Sequence, residues 1–149
     1  MKRFAILLVL LFTGCNPPNA LPNLGDRYKI RKTTEHLMVA SAQTWPYEKA
    51  TFDGVMFQVA TNNQGKVAYL ATDDPAFKTQ DGISISSTLE DVLKAGATPT
   101  WYEPGWAHHT KLPSGWSVAF NAFEFQDGRI VEVKKPTARS KVAWLFKRK

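Results

Sequence analysis

Residue types that carry chemistry are few in this chain of 149 residues, and they are thinly spread. His108 and His109 adjoin, which first suggests a metal. A zinc site needs three or four convergent ligands, however, and neighbouring residues on a strand point to opposite faces. No third ligand stands at strand or helix spacing, so the two read as solvated loop histidines. Asp73-Asp74 lacks the Asp-x-Asp-x-Asp-Gly spacing of a calcium loop and reads as a turn ahead of Pro75. Ser114-Gly115 follows Leu112-Pro113 but lacks the Gly-x-Ser-x-Gly frame of an exposed nucleophile, so a Pro-Ser-Gly turn launching a strand is the better account. Cys15 is the only cysteine, which rules out an intramolecular disulfide. No catalytic set, metal or cofactor is expected from these residues, and no small-molecule substrate is evident.

Cys15 matters for its position. It follows the basic pair Lys2-Arg3, the nine-residue apolar run Phe4–Phe12 and the small residues Thr13-Gly14. That is the layout of a signal peptide. The run falls far short of the roughly 20 residues a helix needs to span a bilayer. Phe12-Thr13-Gly14-Cys15 resembles the lipobox of bacterial lipoproteins, with Phe12 where Leu is more usual. The resemblance implies cleavage before Cys15, its lipidation, and attachment of the mature chain to a membrane of the cell envelope. Asn16 in the next position implies the outer membrane, with the domain facing the periplasm.

Without residues 1–14 the formal charge falls from +6 to +4, as Lys2 and Arg3 are lost. It is unevenly distributed: residues 134–149 carry +7 with no acid, and residues 15–133 about −3. Residues 16–26, rich in Pro and Asn, read as a spacer between lipid and domain. One domain is expected over 27–138, then a basic-aromatic tail over 139–149.

Within that domain Gly54–Ala60 and Lys66–Ala71 flank Asn62-Asn63-Gln64-Gly65 and predict a hairpin. Asp127-Gly128 predicts a second hairpin between Phe123–Phe125 and Arg129–Val133. Further strands are expected at Thr100–Tyr102 and Trp116–Phe120, while Glu35–Ser41 is left as strand or helix end. A short helix is expected after Ser87, which with Glu90 would form a capping box; Leu89, Val92 and Leu93 make its apolar face and Gly96 ends it. The expected fold class is α+β: a small twisted antiparallel sheet with one short helix packed on one face.

Thr88–Pro99, the aromatic strands after it and Asp127–Ile130 resemble the SmpA/OmlA (BamE-like) domain of small outer-membrane lipoproteins, over residues 83–133. Ser86-Ser87 departs from that family's pattern, and the 54–71 hairpin has no counterpart there. The resemblance implies a short helix feeding a small sheet, and a binding or assembly role without catalysis.

The binding candidates are aromatic. Trp101 and Trp116 are expected to fill the core, whereas Trp106, in what reads as a long loop with Tyr102, His108 and His109 nearby, is a candidate contact. In the tail Lys141, Trp144, Lys147, Arg148 and Lys149 read either as a segment for acidic lipid or surface polymer, or as a last strand with a basic end. Export would keep that charge away from nucleic acid. The expected function is therefore a membrane-anchored, non-catalytic envelope lipoprotein that binds another envelope protein or surface component. The rival reading is an inhibitor, immunity or superinfection-exclusion lipoprotein that blocks a receptor, lysozyme or toxin.

Overall fold

The structure, a computed structural model, describes residues 20–31 and 35–149. Cys15, the signal-peptide reading of 1–14 and the first part of the expected spacer lie outside the described residues.

Ten strands and one helix follow in chain order among the described residues. They are β1 (His36–Ala40), β2 (Gln43–Phe52), β3 (Val55–Thr61), β4 (Val67–Thr72), α1 (Leu89–Lys94), β5 (Trp101–Glu103), β6 (Ala107–Lys111), β7 (Ser117–Asn121), β8 (Phe123–Gln126), β9 (Arg129–Glu132) and β10 (Trp144–Arg148). Eight strands form one antiparallel sheet in the order β1-β2-β3-β4-β10-β7-β6-β5, and β8-β9 stand apart as a two-stranded hairpin. The sheet curls into a half-barrel, so the fold is mostly β and the expected α+β plan is wrong. Strand patterning decides the matter: the chain keeps supplying apolar alternation and hairpin turns, while α1 is a six-residue helical turn inside a connection.

The turns explain the register. Asp53 and Gly54 both adopt positive φ, +50° and +80°, which matches the right-handed twist of the strands they join. Asp127 and Gly128 repeat the geometry at the tip of β8-β9. The cap of α1 is one residue later than expected: Thr88 accepts from the Asp91 amide and Asp91 returns the bond to Thr88. Leu89 and Val92 turn inward, but Leu93 is 48 % exposed. The amides of Leu89 and Glu90 donate to the carbonyls of Ser140 and Ala138, so the chain after residue 137 caps α1.

The segment read either as a tail for lipid or polymer or as a last strand is the strand β10, and it lies at the centre of the sheet. β10 pairs with β4 through Leu145–Thr72 and with β7 through Leu145–Val118. Its side chains alternate, with Leu145 in one core cluster and Phe146 in the other. Part of the spacer is also folded. Leu21 and Leu24 pack on the core, and the Gly25 amide donates to the Val67 carbonyl at 2.7 Å.

Two cores result, one on each face of the curl. The outer one combines Val59, Leu70, Val118 and Phe120 with Leu89, Val92, Leu112 and Trp116 from the connections. The inner one sets Tyr69, Trp106 and Phe146 among Ala60, Ala71, Ala107 and Ala119. Small residues beside large rings let a sheet bend tightly while its interior stays filled.

Candidate functional site

β1 and β5 are opposite edges of the sheet, and polar side chains bring them together. The Glu103 carboxylate on β5 accepts from the Ser41 amide, just after β1, at 2.7 Å. Trp106 Nε1 donates to the Met38 carbonyl at 3.2 Å, and Arg148 reaches the Val39 carbonyl at 3.4 Å. Arg148 also donates to both oxygens of Glu103, at 2.7 and 3.3 Å. Its guanidinium lies 4.8 Å from the Trp106 ring centre and 5.6 Å from that of Phe146. A planar cation suits this position, since it stacks on rings while its edge binds a carboxylate.

Two open clefts flank this closure on the inner face. One, of about 490 Å³, is lined by Leu37, Gln58, Tyr69, Trp106, Asn121 and Trp144. The other, of about 610 Å³, is lined by Trp101, His109, Lys111, Ser117, Phe146 and Arg148. Trp106, packed edge-on against Phe146 and His109, stands between them.

The electrostatics follow from that packing. Burial raises the Glu103 pKa, but the Arg148 hydrogen bond, the Ser41 amide and the charges of Arg148 and His109 together outweigh it, and the carboxyl titrates below its ordinary range. His109 Nε2 lies 3.3 Å from Glu103, which by itself would favour imidazolium. Burial and then the Arg148 charge act the other way and prevail, so the His109 pKa is lowered. The contact is therefore a neutral histidine hydrogen-bonded to a carboxylate that Arg148 already neutralises.

The expected sites fare unequally. Trp106 is 9 % exposed and is a packing anchor of the closure, whereas Trp101, expected in the core, is 67 % exposed at the mouth of the larger cleft. β5 is an edge strand and none of the described residues covers Trp101, while the loop at Trp106 folds back under β1. Trp116 is buried as expected. Tyr102 is exposed, stacks on His108 and hydrogen-bonds Glu132. His108 and His109 are not loop residues: both lie on β6 and face opposite ways, His108 buried with Nε2 2.5 Å from the Val133 carbonyl.

Trp144 is half-buried with Nε1 3.1 Å from the Tyr69 hydroxyl, Lys147 lies over the Trp116 ring at 4.9 Å, and Arg148 is bound to Glu103. Of the five tail candidates only Lys141 and Lys149 project as exposed cations. The Ser114 amide and hydroxyl are bonded to Asp81, with no histidine among their partners. Among the described residues no three His, Cys, Asp or Glu side chains converge as a metal site would require.

Sequence reasoning missed β2, β6 and Glu103. Asp53-Gly54 was the available signal for β2; Glu103, inside a loop-like Glu-Pro-Gly, carried none. No helix among the described residues is long and apolar enough to cross a membrane. No family model, curated protein or solved structure matches the chain.

Proposed function

We propose that the chain is an envelope lipoprotein attached through Cys15, facing the periplasm from the outer membrane, and that its domain is a non-catalytic module for binding another envelope protein or a surface polymer. The contact surface is the larger inner cleft. The carrying observation is Trp101: a large ring left 67 % exposed at the mouth of a cleft of about 610 Å³, with Lys111 as an exposed cation beside it. Rigid aromatic area with a charge at the rim is the composition of binding hot spots. Arg148 and Glu103 satisfy one another there and shape the wall, leaving Lys111 to meet an acidic group.

The test is crosslinking in living bacteria from a photoreactive residue placed at Trp101 or, for comparison, at Trp106, with fractionation of wild type and Cys15→Ala. A defined product from position 101, absent from 106, together with loss of membrane attachment in Cys15→Ala, supports the reading. Equal labelling from both positions, or attachment unchanged without Cys15, refutes it.

One observation favours the inhibitor reading. The β8-β9 hairpin carries Phe125 at 79 % and Ile130 at 67 % exposure, paired across its strands. A projecting apolar hairpin has the shape of a wedge for a partner's cleft, and crosslinking from Phe125 rather than Trp101 would select it.

A further inference from the structure

The first described stretch is bound to the turn between β3 and β4. The Gly25 amide donates to the Val67 carbonyl, the Val67 amide to Asp26 and the Tyr28 amide to Gly65, so residues 25–28 lie alongside 65–67, with a single antiparallel bridge between Arg27 and Lys66. The other end of the chain arrives at the same place: the Lys149 amide donates to the Ala68 carbonyl at 3.1 Å. A Cβ at Gly25 would lie 3.5 Å from the Lys149 ammonium. Lys147 shares a hollow with Leu21, Leu24 and Leu70 beside it.

Arg27, Lys29, Lys66 and Lys149 are thus gathered around the point where the chain enters the domain, all four exposed. The nearby acids are occupied locally, Asp26 by the Asn23 amide and Glu48 by the Tyr28 hydroxyl and the Arg31 amide. No acid forms an ion pair with any of the four among the described residues.

We infer that this basic collar is a docking surface for an anionic lipid bilayer and sets the orientation of the domain on its membrane. The inference takes its geometry from the lipid anchor proposed above. Ala20 is five residues from Cys15, and five residues reach at most about 18 Å. A lipid on Cys15 therefore holds the collar within reach of the headgroups, where charges act over about 8 Å at physiological salt. Each basic residue near an anionic surface strengthens attachment about fivefold. The β8-β9 hairpin, which joins the sheet through Asn121 and not through the collar, carries the opposite prediction.

The test uses the full chain purified from bacterial membranes, with the mass of Cys15 read first to establish its lipid independently. The chain is reconstituted in phosphatidylcholine vesicles with or without phosphatidylglycerol, bearing a fluorophore through Gln64→Cys or Phe125→Cys, and exposed to an aqueous quencher. Phosphatidylglycerol is expected to shield position 64 by at least about fivefold, the factor for a single cation, and leave position 125 unchanged. Arg27→Glu, Lys66→Glu and Lys149→Glu combined, with the fold checked by circular dichroism, or high salt, should remove the shielding. Equal access at 64 in both vesicles, or shielding untouched by the charge reversals, overturns the inference. If Cys15 carries no lipid the anchor fails on its own, and the labelled chain added to vesicles from outside still decides the collar by the same comparison.

Discussion

Glu103 accepts a 2.7 Å hydrogen bond from the Ser41 amide, and this contact ties the last strand of an eight-stranded sheet to the turn after its first. Edge strands of an open sheet leave unpaired amides and carbonyls that invite association. Here side chains from β5, the β5–β6 turn and β10 occupy that region instead: Glu103 takes the amide of Ser41, while Trp106 and Arg148 reach the carbonyls of Met38 and Val39.

Removing the carboxylate should therefore open the curl. Glu103→Ala strands Arg148 against Trp106 and Phe146 without its acid, and should cost about 2 kcal/mol in urea unfolding. Glu103→Gln keeps an oxygen for the Ser41 amide but loses the charge, and should cost about 1 kcal/mol. Equal losses in both variants would mean that the charge accounts for the whole effect and the Ser41 hydrogen bond adds nothing; a Glu103→Gln variant as stable as wild type would mean that the charge contributes nothing.

Acid should loosen the same closure in two stages. The folded pKa of His109 lies below its ordinary 6.5, so the unfolded chain binds the proton more readily. The stability from neutral His109 is complete above pH 6.5 and is lost as pH falls through the depressed folded value. Glu103, also depressed, contributes above its ordinary 4.5 and is lost below that in turn. Melting temperature followed downward from about pH 7.5 should show the upper stage flattened by His109→Gln and the lower by Glu103→Gln.

The tryptophans should separate stability from binding. Trp106→Ala removes a ring enclosed by Phe146, His109, Trp144 and Arg148, and should cost about 3–5 kcal/mol. Trp101→Ala should stay within about 0.5 kcal/mol of wild type and abolish the partner crosslink. Denaturant midpoints with crosslinking yields check both halves; a strongly destabilised Trp101→Ala would place that ring in the fold.

Hydrogen exchange should rank the strands. Every residue of β8 and β9 is exposed, and a two-stranded hairpin is marginal alone, so its amides should exchange near the rate of local opening. β4 and β10, at the centre of the sheet, should exchange only with global unfolding. Slow exchange in β8-β9 of the isolated chain would show that the hairpin is covered.

Local chemistry was legible in the residues themselves. Asn62–Gly65 and Asp127-Gly128 announce their hairpins, because such turns demand residues that tolerate positive φ. Gly96, at φ +85°, ends α1 where a left-handed residue is needed. His108 and His109 were not legible in this way: they read as solvated loop residues, and their opposite facing follows from the two-residue period of β6.

Long-range pairing decided the rest. Trp144–Arg148 looks like a basic tail because alternation names a strand without naming its neighbours; β4 and β7 become those neighbours only after about 70 and 20 intervening residues, respectively, have folded back. The same holds for Trp101 and Trp106, chemically alike and five residues apart. One lies on an uncovered edge and the other beneath β1, a difference set by how far the sheet curls. Residue types and spacing determined where this chain turns and which segments alternate; the closure by Glu103, Arg148 and Trp106 was decided by tertiary structure, because its partners come from strands far apart in sequence.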